Sequence, residues 1–468
     1  MSSAIFDGLD ATPPVYTSYG WFMLHYIIPY VEPTVMFRVT NAIIVAATII
    51  ILYMLVRRFF DVTKSIIIIL FFVLSSLSNL SFFITELRTY ALFFCATTIS
   101  IYLSERAIRD PSPSKFLYMG LSYCFLAMSH TFGIVYALCI SGSLILVFIS
   151  SANFSLARNT LISVVPAILL FSVWSIVMAH QAKLGSWIPK PSLHDLSFAA
   201  YLPISLRMKL VAIDIGLVVA IIYIYKKGLF TITNSLAEWW RSPDSTSKFV
   251  AMIPISFGLS TLAIWLLSRH LFSVFVIRYF FPNMLCNVIW IGLFVYFIFM
   301  KLPRIVATCG MLCAIIPLVI FNIEHIPSEL IKLSERIPCF DPVQETYIED
   351  PFRDGTPILT LWMHSWLTRL DHRGDEKIFP IDQALAKQSD VENQKYNFEF
   401  NYAARFAAWE GYPSIIKTED LLGAKRNFLV LDDDHGPWLR FVQQTHKLKL
   451  TKLAEMKGCR LWRLEIGE

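Results

Sequence analysis

Charge is what this sequence has least of. Only 16% of its 468 residues are Asp, Glu, Lys or Arg, while 56% are hydrophobic, against roughly a quarter charged in an average soluble domain. A soluble core cannot absorb that much apolar side chain, so a wholly soluble protein is excluded and most of the chain belongs in lipid. Metal-ligand spacing is missing too. Among the eight cysteines, Cys309 and Cys313 stand four apart in an apolar run, as packing residues do, and only Cys339 and Cys459 fall in a polar region where an oxidising compartment would let them pair. The first residues carry no basic n-region and no cleavable signal pattern. There is no internal repeat and no low-complexity segment.

What the sequence does have is long apolar runs. Spans are expected near 36–56, 65–83, 89–103, 116–128, 132–150, 160–180, 208–225, 249–268, 279–300 and 305–321, about ten in all, the pair flanking His130 being the shortest. Tyr16 to Tyr30 is too short and too rich in Trp and Tyr for a span and reads as a helix lying on the membrane. Basic residues gather on alternate loops, among them Arg57, Arg58, Lys64, Arg106, Arg109 and Lys115. By the positive-inside rule those loops are cytoplasmic, which puts the first loop, Glu86, the loop 181–207, Arg278 and the C-terminal region on the outside.

Charge also divides the chain. Residues 323–468 hold 19 basic and 24 acidic side chains, whereas the first 322 hold 21 basic and 11 acidic, a net charge of +10. The sequence therefore reads as a loop and interfacial helix over 1–35, a transmembrane domain over 36–322 and a soluble extracytoplasmic α/β domain over 323–468. Within the last, ILTLW (358–362), NFLVLDD (427–433) and CRLWRLEI (459–466) read as strands and GPWLRFVQQ (436–444) as a helix. The run Asp432 to Asp434 fits a strand-end turn with helix-start charge better than a metal or phosphate site.

Four strings carry candidate chemistry. In DGLDATPPVY the two prolines fix an extended turn that would hold Asp7 and Asp10 at the membrane surface, where a carboxylate can act as general base; a lone Asp in such a turn is otherwise a turn former. In ITELRTYALFF, Glu86 and Arg88 stand at the mouth of an apolar run, either as snorkelling interfacial charges or as functional ones, with Tyr90 following. In SHTFG, His130 sits between two hydrophobic runs, as a functional imidazole or as a hinge bonded to a neighbouring helix. In FVIRYFFP, Arg278 could fork onto a phosphate with Tyr279 as a further donor, or snorkel in an aromatic belt. The loop AKLGSWIPKPSLHDLSF adds Lys183, Lys190, His194 and Asp195, for which solvated surface is the plainer role.

The string Glu86, Arg88, Tyr90, Ala91, Leu92, followed by a short basic loop and LAMSHTFG, resembles the GT-C membrane glycosyltransferases, in particular bacterial members similar to protein mannosyltransferases and lipopolysaccharide-core sugar transferases. The resemblance implies transfer of a sugar from a polyprenyl-phosphate donor to a lipid, glycan or protein acceptor at the outer face of the inner (plasma) membrane, by inverting single displacement. It implies Asp10 as base with Asp7 as fallback, Arg88, Arg278 and Tyr279 on the donor phosphate, and Glu86, Tyr90 and His130 in support. The cofactor is left unknown, no metal is indicated, and no nucleic-acid partner is expected. The sequence departs from the family in starting after the first membrane helix and the acidic pair that usually follows it. The alternatives are accordingly a truncated or inactive protein of that fold, or a transporter; for a transporter, Asp214 is the one buried acid the sequence suggests inside a span.

Overall fold

The computed structural model describes residues 33–85, 89–182, 190–200, 245–271, 275–301, 356–361, 377–387, 415–424, 426–432, 437–446, 448–456 and 459–466, with a few isolated positions. The chain divides into two compact units, one carried by helices between residues 33 and 301 and the other by a sheet between residues 356 and 466.

In the helical unit the order is α1 (Pro33–Val56), α2 (Val62–Thr85), α3 (Tyr90–Arg109), α4 (Pro113–Ser129), α5 (Gly133–Ser150), α6 (Phe154–Ala182), α7 (Leu193–Ala200), α8 (Ser245–His270), a 3-10 helix (Ile277–Met284) and α9 (Leu285–Lys301). Among the described residues, six helical segments are long and apolar enough to cross a membrane: Met36–Val56, Tyr90–Arg109, Gly133–Ser150, Phe154–Ile176, Lys248–His270 and Tyr279–Tyr296. These are the dimensions and composition of a membrane-embedded protein. Val62–Leu77 in α2 is a shorter apolar helix, and the expected spans at 208–225 and 305–321 lie outside the described residues but for isolated positions. The same holds for the interfacial helix expected at 16–30.

Helix α3 is the centre of this unit. Its apolar window is 72% buried against its neighbours, while that of α1 is 28% buried and leaves side chains such as Ile43 and Ile50 facing outward. An outward face made of Ile and Leu is what lipid requires, so apolar burial alone gives little reason for such helices to associate. Polar contacts between them do. Ser100 Oγ donates to the Ser122 carbonyl at 3.2 Å, and Ser104 Oγ shares a hydrogen bond with the Tyr123 hydroxyl at 2.9 Å, joining α3 to α4. Ser143 and Ser256 join α5 to α8 through their hydroxyls at 2.6 Å. Such bonds contribute on average about 0.6 kcal/mol each. Where α4 meets α6, a Cβ added at Gly120 would stand 2.8 Å from the Ser163 carbonyl oxygen, and Ser163 Oγ donates to the Phe116 carbonyl at 3.0 Å. The small residue lets the two backbones approach.

The second unit is a six-stranded sheet of β1 (Ile358–Thr360), β2 (Lys377–Ile381), β3 (Ile415–Lys417), β4 (Phe428–Asp432), β5 (Lys449–Met456) and β6 (Cys459–Glu465), in the order β3-β2-β1-β4-β6-β5. The strands β3, β2, β1 and β4 run parallel, and the β5–β6 hairpin closes the edge antiparallel. Its core holds Leu359, Ile378, Val430 and Trp438, the last on α12 (Pro437–His446) if the two short helices α10 (Gln383–Ala386) and α11 (Thr418–Gly423) are numbered before it. Trp438 is fully buried, and its Nε1 donates to Thr418 Oγ1 at 2.9 Å, satisfying the one polar atom it carries inward. The three strands and the helix read from the sequence are present. The strands β2, β3 and β5 are additional to that reading.

Candidate functional site

The turn between α4 and α5 is where the described site residues begin to converge. Ser129 ends α4, and His130 takes an extended conformation (φ −156°, ψ 148°) that breaks the helix. The chain turns back at once, with the Gly133 N–H donating to the His130 carbonyl at 2.8 Å. No side chain fits at position 133: a Cβ there would lie 1.9 Å from the Leu126 carbonyl oxygen. The Phe132 N–H donates to His130 Nδ1 at 3.2 Å, so Nδ1 is the acceptor and a neutral ring carries its proton on Nε2.

Around this imidazole is a cage of rings. Phe93 of α3 stacks on His130 with centroids 4.4 Å apart and planes 12° apart. Tyr279 stands at 5.1 Å, Phe132 at 5.9 Å and Tyr90 at 6.1 Å from it. Tyr90 and Tyr279 are 6.4 Å apart, and Tyr90 also meets Phe82 at 6.0 Å and Phe281 at 6.1 Å. Tyr90 and His130 are buried and Tyr279 is half-buried. Three residues singled out from separate strings of the sequence, Tyr90, His130 and Tyr279, therefore share one cluster.

The 3-10 helix is held in place from below. Pro282 has no N–H to give an α-helix, which accounts for a tighter turn before α9 begins at Leu285. Tyr136 of α5 donates its hydroxyl proton to Asn283 Oδ1 at 2.9 Å, and Asn283 Nδ2 donates to Thr261 Oγ1 of α8 at 2.9 Å. Thr261 passes its own proton to the Phe257 carbonyl at 2.9 Å. This buried chain ties three elements together at the level of the ring cage. Sequence reasoning missed Tyr136, Thr261 and Asn283, although an Asn just after a proline in an apolar run was a visible signal. The span expected from Tyr279 does begin there, but its first turns are the 3-10 helix, which the sequence reading did not distinguish.

Most of the other expected site residues cannot be placed relative to this cluster, because they fall outside the described residues. Asp7, Asp10, Glu86 and Arg88 lie outside the described residues, as do Lys183, Trp187 and Asp214; of Arg278 the backbone is described, on the 3-10 helix beside Tyr279, and the side chain is not. Cys309, Cys313 and Cys339 are outside as well. Asp195 has a local task. Its carboxylate accepts from the Ser192 N–H and hydroxyl, both at 2.7 Å, while Ser192 Oγ accepts from the Asp195 N–H at 3.2 Å, a reciprocal cap on α7. Those bonds, the backbone one foremost, hold its carboxyl below the usual carboxylate range. Among the described residues no group of three or more His, Cys, Asp and Glu is placed to hold a metal ion.

One acid changes the sequence reading. Asp214 is not the sole buried acid suggested for a span, because Glu105, in the candidate span Tyr90–Arg109, is 0% exposed. Its Oε1 accepts from Arg109 Nε at 2.6 Å, and its Oε2 lies 2.5 Å from Arg58 Nε, an ion-pair contact that falls off the hydrogen-bond axis. The pair sits in the last turn of α3 and not near the middle of a span, where transporters place coupling acids.

Comparison with known proteins identifies no relative: no family model matches the chain, and no curated protein or solved structure matches it.

Proposed function

We propose that the chain transfers a sugar from a polyprenyl-phosphate donor to an acceptor hydroxyl at the outer face of the inner (plasma) membrane, with its C-terminal domain extracytoplasmic. The observation that carries the reading is the meeting of Tyr90, His130 and Tyr279, which come from three distant strings of the sequence, in one ring cage. Arg278 is next to Tyr279 in the chain, and Arg88 lies two residues before Tyr90, so both guanidiniums are tethered to residues of that cage.

In this reading Arg88 and Arg278 hold the donor phosphate by charged, forked hydrogen bonds. The acceptor oxygen attacks the anomeric carbon from the face opposite the phosphate. The bond from that carbon to the phosphate oxygen breaks with its electron pair leaving on the phosphate, where the arginines stabilise it. Asp10, or Asp7 in its place, takes the hydroxyl proton. Glu86 orients Arg88, and the ring cage gives the site an apolar wall.

The test is sugar transfer or donor hydrolysis by the purified full chain with a panel of polyprenyl-phosphate sugars, run beside Asp10→Asn, Asp7→Asn and Arg278→Ala. The reading expects turnover to fall by roughly 100-fold or more when the base is removed, as loss of general-base catalysis does, and donor binding to weaken in Arg278→Ala. Unchanged donor binding in Arg278→Ala would refute the phosphate role. Absence of turnover with every donor, binding retained, would leave a retired transferase.

A further inference from the structure

The opposite end of the same helices carries a second site. Arg57 and Arg58 follow α1 and Arg109 ends α3, and together with Tyr53, Met54 and Tyr102 they line an open recess of about 490 Å³. Each guanidinium is anchored by only part of its donor set. Arg57 Nη1 donates to the Phe60 carbonyl at 2.7 Å, Arg109 Nη2 donates to the Arg58 carbonyl at 3.2 Å, and the Nε atoms of Arg58 and Arg109 are both turned toward Glu105. Arg109 also lies over the Phe59 ring at 5.4 Å.

The recess thus gathers three guanidiniums against one carboxylate, which Arg58 and Arg109 share, a surplus of two positive charges. The other carboxylates of these loops do not offset it, because Asp61 pairs with Lys64 and Asp110 with Lys115. Among the described residues Arg57 has no carboxylate within ion-pair distance. Arginines that merely snorkel need no fixed direction. These are oriented by a carboxylate with 0% exposure while their own side chains keep 29% and 39%. Burying Glu105 carries a desolvation cost that a plain surface would not ask for, and its effect is to set two planar donor groups in a fixed orientation at the recess.

We propose that this recess binds a phosphate group at the membrane surface opposite the ring cage, the tyrosines of the recess adding neutral donors. The site stands independently of sugar transfer. A phosphate diester or monoester neutralises the surplus charge and matches the forked donors, and it can come from an anionic lipid headgroup or from a soluble phosphate.

The experiment uses the full chain in nanodiscs of phosphatidylcholine, with thermal unfolding followed as phosphatidic acid replaces part of the lipid, and in parallel as inorganic phosphate is titrated. Wild type should be stabilised by at least one probe. Arg57→Gln should weaken that response roughly tenfold or more, the loss expected for a charged hydrogen bond, and Arg57→Lys should fall between. Because Arg57 is not in the Glu105 pair, its variants should fold, and the readout is the ligand-induced shift relative to each variant's own baseline. A response to phosphatidic acid alone assigns the lipid source, and an equal response to inorganic phosphate assigns the soluble one. No response of wild type to either probe, or an undiminished response in Arg57→Gln, overturns the proposal.

Discussion

The two ends of the helical unit are built on different physics. At one end His130 is surrounded by Phe93, Tyr90, Phe132 and Tyr279, and what polarity lies beneath is neutral, the chain from Tyr136 through Asn283 to Thr261. At the other, Arg58 and Arg109 pair with the single carboxylate of Glu105, and Arg57 lines the same recess. Rings fix geometry through shape and tolerate an apolar substrate. Charges fix it through pairing and select an ionic one. A chain that lies in a membrane and carries both presents an apolar wall to one side and an anion-seeking patch to the other.

The largest break in that contrast should come at the charged end. Removing both partners of Glu105, as in the double variant Arg58→Ala with Arg109→Ala, leaves a buried carboxylate unpaired and should cost about 3–5 kcal/mol. Adding Glu105→Gln to that background should return most of the loss, which thermal unfolding in detergent would register as a recovered melting temperature.

At the ring end the corresponding lesion is steric. Gly133→Ala places a methyl 1.9 Å from the Leu126 carbonyl oxygen, a clash with backbone that cannot rotate away, so the cost should reach the upper part of the usual overpacking range, about 3 kcal/mol. The same melting assay checks it, and quenching of nearby tyrosine fluorescence should change as the His130 turn shifts. A milder change at the same end, Tyr136→Phe, removes the donor to Asn283 and should cost about 0.6 kcal/mol, the average for hydrogen bonds between membrane helices, and no more than about 1.7. Equal losses from Tyr136→Phe and from the arginine double variant would erase the distinction drawn here.

The smallest effect should be that of pH on the loops of the charged end. Hydrogen bonds from Lys64 and Lys115 hold the carboxyls of Asp61 and Asp110 below their ordinary values. A lowered folded value means that the contribution is present above the unfolded pKa, about 3.9, and is lost as pH falls through the folded one. Melting temperature should therefore keep the full contribution of these pairs, unchanged, between pH 8 and 5 and begin to lose it only below about pH 4. Both carboxylates are exposed, so the change will be slight.

Much of the helical unit was legible because an apolar run of sufficient length has few other uses: α1, α3 and α5 fall where the runs of Ile, Leu, Phe and Val put them. The 3-10 helix was not, since Tyr279 to Met300 is apolar throughout and only Pro282 marks the change. In the sheet, β2 hides behind Pro380 and β5 behind the lysines of KLTKLAEM, both of which lower strand signals read locally. His130 was visible as a polar residue between apolar runs, but its stacking partner Phe93 is 37 positions away in the chain and is brought there only by packing. Glu105 was missed for the same reason. In SERAIRD it reads as one charge in an interfacial cluster, and its burial depends on Arg58, which belongs to another helix end.

Sugar transfer at the ring end and phosphate binding at the arginine end require the two ends to lie on opposite sides of a membrane, and sidedness can be measured directly. Single cysteines at Ser114, exposed in the first turn of α4 at the arginine end, and at Leu193, exposed at the start of α7 near the other end, would be probed with a membrane-impermeant thiol reagent in sealed, oriented vesicles, above the labelling of the native cysteines. Labelling of Leu193→Cys from outside, with Ser114→Cys reached only after the membrane is opened, is the result expected. Labelling of both from the same side would contradict the account.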